Sequence, residues 1–199
     1  MLRLQYCMRN LQRNDDSCRK PMSASDNRSH FETTVLIHLD AAFNLARWLI
    51  DDEAAAEDAV QDACIRAQRF FASLSGPNAK AWFMAIVRNT CLAILRERKV
   101  RRIEDEYQEE THGQLFEADR ETPEQAASRA SEARWVRAAI DALPIEFREV
   151  IVLRELEDMS YKEISAIVKV PMGTVMSRLA RGRDLLAQRL RADVRRVES

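Results

Sequence analysis

Apolar positions in this chain recur at intervals of three and four residues, with no sustained two-residue alternation. Leu36, Leu39, Phe43, Ala46 and Ile50 predict a helix from about Phe31 to Ile50. Ala59, Val60, Ala63, Cys64, Ala67, Phe70 and Phe71 predict a second from about Glu53 to Phe71. The stretch Ala72 to Asn78 (ASLSGPN) is turn-forming and reads as a loop. Trp82, Ala85, Ile86, Cys91, Leu92 and Leu95 then form a broad stripe on a third helix, Ala79 to Lys99. Further on, Thr122-Pro123-Glu124-Gln125 has the order of a helix start: threonine as N-cap, proline first, glutamine reaching back. That helix is expected to reach about Leu143. Pro144 opens a shorter one to about Leu156, with Phe147, Val150, Ile151 and Leu153 apolar. Ser160 and Glu163 have capping-box spacing and begin a helix to about Val168, and Pro171 begins a last helix towards Leu190. Residues 1–30 carry no period and read as a disordered leader; Met22 is an alternative translation start that would lose no folded structure.

Composition supports the helical reading. Only 4 glycines and 5 prolines punctuate 199 residues, too few for the turns of a sandwich or barrel. The expected fold class is all-α: two small helical domains joined by a flexible acidic linker, with domains at 31–102 and 122–195 and the linker at 103–121. No apolar run approaches the roughly 20 residues of a membrane span, and the charged N-terminus lacks a signal peptide's apolar core. A cytoplasmic protein without membrane insertion is therefore expected. Cys7, Cys18, Cys64 and Cys91 form no CxxC, and His30, His38 and His112 are scattered, so neither metal nor cofactor is expected. Cys64 and Cys91 fall on apolar helical faces and read as small buried hydrophobes.

Charge is more informative locally than in its net value of −1. Arg88 to Arg102 holds 6 basic residues against Glu97, a local +5; Gly173 to Ser199 holds 7 arginines against Asp184, Asp193 and Glu198, a local +4. Between them Ile103 to Glu132 carries 10 acidic residues against 2 arginines, a local −8. Two basic patches flanking an acidic stretch suggest two modules gripping one polyanion, although any one arginine run can be a solvated helix face. The linker is expected to be mostly unstructured, and limited proteolysis there to release two helical fragments.

Residues Ser160 to Arg181 give a short capped helix, a tight turn and a second helix rich in Thr, Ser and Arg. Ile164, Ile167 and Val168 can face Val175 and Leu179, leaving Thr174, Ser177, Arg178 and Arg181 outward, where they can reach phosphates and guanine edges in a major groove. A plain helical hairpin is the competing reading. The segment LPIEFREVIVLRELEDMSYKEISAIVKVPMGTVMSRLARGRDLL resembles the C-terminal DNA-binding domain of the extracytoplasmic-function (ECF) group of bacterial sigma factors. AEDAVQDACIRAQRFF resembles that family's core-polymerase-binding helix, and AWFMAIVRNTCLAILRERK its −10 recognition helix. The resemblance covers about Leu36 to Leu190 in the family's order.

The resemblance implies a transcription initiation factor without catalysis. Its partners would be core RNA polymerase (the large-subunit clamp helices and the flap) and promoter DNA, with control by an anti-sigma factor and no small-molecule substrate. Asp58, Gln61 and Asp62 fall where the family meets the clamp helices; as residues alone they also fit a solvated acidic face. Asn89 falls at the base-reading position of the −10 helix, and Arg88, Arg96, Arg98 and Lys99 where backbone phosphates are held. Leu74 to Asn78 matches the segment that traps a flipped −10 base. In the helix-turn-helix, Tyr161 to Ala180, Thr174 belongs to the outward set, and Ser177, Arg178 and Arg181, with Arg154 upstream, match positions touching the −35 duplex. One departure is Met176, where many relatives have arginine. Trp82 reads as a core residue rather than a base-stacking one. The alternatives are a stand-alone helix-turn-helix regulator, which needs a dimer interface, and a helical metalloenzyme, which lacks the Glu-x-x-His pairs such sites use.

Overall fold

The computed structural model describes residues 24–74, 76, 78–106 and 135–197, and among these every regular element is helical. The N-terminal module comprises α1 (Ala24–Thr34), a 3₁₀ turn (Leu36–His38), α2 (Leu39–Leu49), α3 (Glu53–Phe70), a second 3₁₀ turn (Phe71–Ser73) and α4 (Ala79–Glu106). The C-terminal module comprises α5 (residues 135–141), α6 (Ile145–Ile151), a π turn (Val152–Leu156), α7 (Tyr161–Val168) and α8 (Met172–Val197).

Four elements differ from the periodicity. Two of them, α4 and α8, run on to Glu106 and Val197, past the expected ends near Lys99 and Leu190, so the start of the expected linker is helical. The predicted single helix over 31–50 is broken at Val35, and α1 begins at Ala24, within the segment expected to be a leader. Phe31, 2% exposed, packs edge-on against Phe71 with ring centroids 5.3 Å apart, an anchor that fixes a helix with little amphipathic pattern. The expected helix to Leu156 ends as α-helix at Ile151 and continues as the π turn, placing both Val152 and Leu153 in the core. The linker at 103–121 and the Thr122 cap lie largely or wholly outside the described residues.

Helix α3 starts at Asp52, whose Oδ1 accepts the Ala55 amide at 3.1 Å. Its inner face is almost entirely small: Ala56, Ala59, Ala63, Cys64 and Ala67 are fully buried. Small side chains let the α3 backbone approach α2 and α4 closely. The other half of the core comes from large side chains on α2 and α4, including Leu45, Phe83 and Met84. In the C-terminal module Leu143, Val150, Ile151, Leu153, Met159, Ile164, Ile167, Val175 and Leu179 are buried together. Gly182 lets α8 cross α6 closely: a Cβ there would stand 3.1 Å from Ile151 Cγ1, which would have to shift by a few tenths of an ångström to admit it.

The two modules are packed together, and their buried residues form a continuous apolar cluster. Helix α2 lies against α6 and α4 against α7. Arg148 of α6 donates to the carbonyls of Trp48 (3.2 Å), Leu143 (3.1 Å) and Asp141, tying α2 to the α5–α6 corner. The Arg137 guanidinium lies 4.8 Å from the Trp48 ring centroid. Fragments cut apart in the linker should therefore remain associated, which revises the expectation of two freely separating pieces.

Candidate nucleic-acid interface

With its inner face fixed by alanines, α3 turns Asp58 and Asp62 into solvent and leaves Gln61 half-buried. The two aspartates are four residues apart and share one face. Nothing in the described packing recruits that face.

Helix α4 is capped by Asn78, whose Oδ1 accepts the Ala81 amide at 3.0 Å. Phe83, Met84, Val87, Thr90 and Cys91 are buried, and Thr90 Oγ1 donates to the Ile86 carbonyl at 3.0 Å. Burial pushes the Cys91 thiol up to about 12, so it is an unreactive core group, as its apolar face implied. Asn89 is exposed between the buried Val87 and Thr90. Arg96, Arg98 and Lys99 are exposed further along, with Arg98 3.7 Å from the α3 cap Asp52. Trp82 is half-buried against the core.

Arg88 behaves differently from its basic neighbours. Its Nε donates to Glu149 Oε2 at 2.6 Å and its Nη2 to Glu149 Oε1 at 3.0 Å, a bidentate pair across the module boundary. Glu149 is 2% exposed. Arg178 of α8 also reaches Glu149 Oε1, at 3.5 Å.

The helix-turn-helix forms as the sequence predicts. Ser160 accepts the Glu163 amide while Glu163 accepts the Ser160 amide at 2.7 Å, completing the capping box. Hydrogen bonds from Ser160, with a smaller contribution from Asn78, hold the Glu163 carboxyl below its ordinary range. Lys169 ends α7 in the left-handed region at φ 56, and Ser165 Oγ donates to the Val170 carbonyl at 2.6 Å to close the turn. Val175 and Leu179 face Ile164, Ile167 and Val168 in the core. On the other side of α8, Ser177 and Arg181 are exposed and Thr174 and Arg178 half-buried; Ser177 Oγ donates to the Thr174 carbonyl at 3.0 Å. Met176 is 44% exposed beside them. Arg154 is folded inward: it donates to the Met159 carbonyl at 2.9 Å and lies 5.1 Å from the Tyr161 ring centroid.

Sequence reasoning did not single out Glu149, Glu157 and Glu163 as partners of the first module. Glu157 Oε1 accepts Asn44 Nδ2 at 2.7 Å, Glu157 O accepts Lys80 Nζ at 2.8 Å, and Glu163 Oε1 accepts Asn78 Nδ2 at 2.6 Å. The one available signal was Glu149 itself, a lone carboxylate within the run Phe147 to Leu153.

Residues 35–101 match the family model described as Sigma-70 region 2, and residues 133–186 that of Sigma-70, region 4. The chain is 35% identical over 149 residues to the ECF RNA polymerase sigma factor SigE of Mycolicibacterium smegmatis, covering 75% of this chain and 57% of that one. It is 30% identical over 185 residues to the RNA polymerase sigma-H factor of Pseudomonas aeruginosa, covering 90% of this chain and 95% of the relative. Among solved structures it resembles the sigma factor RpoE of Bartonella quintana, crystallised with the anti-sigma factor NepR. That similarity has a TM-score of 0.67 at 30% identity, over 82% of this chain and 98% of the other.

Proposed function

Because this chain belongs to the ECF group of the sigma-70 family, we propose that it binds core RNA polymerase and directs it to promoters from the three faces just described. In this reading it acts as a transcription initiation factor and carries no catalytic step of its own. The α3 face of Asp58, Gln61 and Asp62 docks on the polymerase clamp helices, where an exposed acidic patch suits a basic partner surface. The C-terminal module sits on the flap, and α8 enters the major groove of the −35 duplex with Thr174, Ser177, Arg178 and Arg181. Helix α4 reads the melted −10 strand through Asn89, with Arg88, Arg96, Arg98 and Lys99 on backbone phosphates.

The observation that carries this reading is Asn89. A side chain able to give both a donor and an acceptor to one base is exposed on a helix whose adjoining turns are buried, upstream of a basic run. The inward fold of Arg154 favours a part in shaping the helix-turn-helix over a direct phosphate contact. The crystallised pairing of RpoE with NepR supports control by an anti-sigma factor here also, and the factor works in the cytoplasm, where polymerase is.

The test is co-purification with core polymerase, then sequencing of the transcripts the complex starts in vitro. Promoter-specific initiation is expected only with polymerase present. The free chain should bind duplex DNA weakly and with a steep salt dependence, because phosphate contacts dominate. Tight, promoter-selective binding by the free chain at physiological salt, with no polymerase association, would overturn the assignment.

A further inference from the structure

Building on that reading, we propose that Met172 and Met176 give α8 an apolar edge that reads thymine methyl groups in the −35 duplex, so that this chain selects an A·T pair where an arginine would select G·C. Both side chains stand in solvent, 49% and 44% exposed. They lie four residues apart, one turn above the other, and the exposed Ala180 continues the same line. Neither belongs to the core, because Val175 and Leu179 supply the buried side of α8. Thr174, Arg178 and Arg181 run along the opposite flank, and Gly173 and Ser177 lie between the two. A Cβ on Gly173 would meet no described atom within 4 Å, so α8 offers a low centre between an apolar and a cationic flank.

Each flank suits different groups in a major groove. The guanidinium groups of Arg178 and Arg181 donate to phosphates or to guanine O6 and N7. A thioether carries no N–H or O–H and is only a weak acceptor. Laid over guanine, it would strip water from two acceptors and return no donor, which disfavours that base. Thymine is the base that presents an apolar group in the major groove, its 5-methyl. The flexible, polarizable methionine side chain covers such a methyl without demanding one fixed geometry. Burying one methyl against it raises affinity about fourfold.

The two flanks also answer differently to salt. Phosphate contacts through arginine release counterions, so their share of binding falls as salt rises. Apolar contact with a methyl releases none. The preference for thymine therefore survives at salt concentrations that weaken the complex as a whole.

The test uses the full-length chain assembled with core polymerase. Promoters with a randomised −35 element, selected by in vitro transcription, identify the preferred bases. Each thymine of the selected element is then replaced by deoxyuridine, which lacks only the methyl, and binding of the fluorescent promoter DNA is measured at two salt concentrations. At least one replacement should weaken binding by the wild-type complex about fourfold at both. The double variant Met172→Ala, Met176→Ala should bind thymine and deoxyuridine promoters equally, whereas Met176→Leu, which keeps an apolar side chain, should preserve the wild-type ratio. Both positions are exposed, and a melting scan of each variant checks that the fold is kept. An element without thymine, or equal binding of the two promoters by the wild-type complex, would overturn the proposal. Weaker polymerase association in the double variant, with the thymine preference intact, would assign the methionines to a protein contact and overturn it as well. Absence of any promoter-specific initiation would sink the functional reading, and this inference with it.

Discussion

Replacing Asn89 with alanine separates recognition from stability by sign. Asn89 is exposed, so truncation opens no cavity and removes no buried hydrogen bond. Its neighbours Val87 and Thr90 keep their burial, and Thr90 keeps its bond to the Ile86 carbonyl. What remains is helix propensity, which favours alanine over asparagine by about 0.5 kcal/mol at an interior helical site. For a chain of this size that amounts to a rise of about 1–2 °C in Tm. On the DNA side, a bidentate base contact discriminates by about 1–3 kcal/mol, so −10 selectivity should fall by about 5- to 150-fold. The assay pairs a melting scan with permanganate footprinting of the opened promoter in the polymerase complex, using matched and mismatched −10 elements. Lower Tm with unchanged promoter opening and selectivity would show that Asn89 is structural and refute the reasoning.

Three other outcomes follow from the same geometry. Changing Asp58 and Asp62 together to Arg should abolish co-purification with core polymerase while moving stability by less than about 0.5 kcal/mol per site, because both are exposed; a chemical melt beside the pull-down checks it. Met176→Arg adds a donor on the exposed side of α8 and should tighten −35 duplex binding and steepen its salt slope by about one unit, measured by titrations at several salt concentrations. The depressed Glu163 carboxyl stabilises the fold above its unfolded pKa, and this contribution is lost as pH falls through the lower folded value; Glu163→Gln should therefore flatten the acid limb of a pH–stability profile.

Much of this architecture is visible in the sequence because helices write a three-to-four-residue period and capping boxes write a fixed spacing. The helix-turn-helix is the best case: Ser160, Glu163 and the apolar set Ile164, Ile167, Val168, Val175 and Leu179 all take the places their spacing implies. The break at Val35 and the π turn were hidden because apolar spacing is nearly the same in a continuous and an interrupted helix. The start of α1 at Ala24 was hidden because its anchor, Phe31 on Phe71, links residues forty apart. Asn89, Asp58 and Asp62 lie in solvent on the outward sides of their helices, while Arg88, Arg154 and Arg178 show what a motif cannot reveal. Glu149 is reached by Arg88 and Arg178 only through tertiary packing, Met159 is reached by Arg154 across the π turn, and a basic residue in a motif carries no mark of whether it is already engaged.

Because α3 rests on Ala56, Ala59, Ala63 and Ala67, its axis is set by how near two backbones can come rather than by interlocking side chains. Overfilling any of those positions costs about 1–3 kcal/mol and is relieved by tilting the helix outward. A tilt would swing Asp58 and Asp62 together, redirecting the whole acidic face through a single inward methylene. Outward changes leave the axis where it is. Exposed positions of α3 can thus change one residue at a time, on a platform whose orientation is fixed by the smallest side chains it contains.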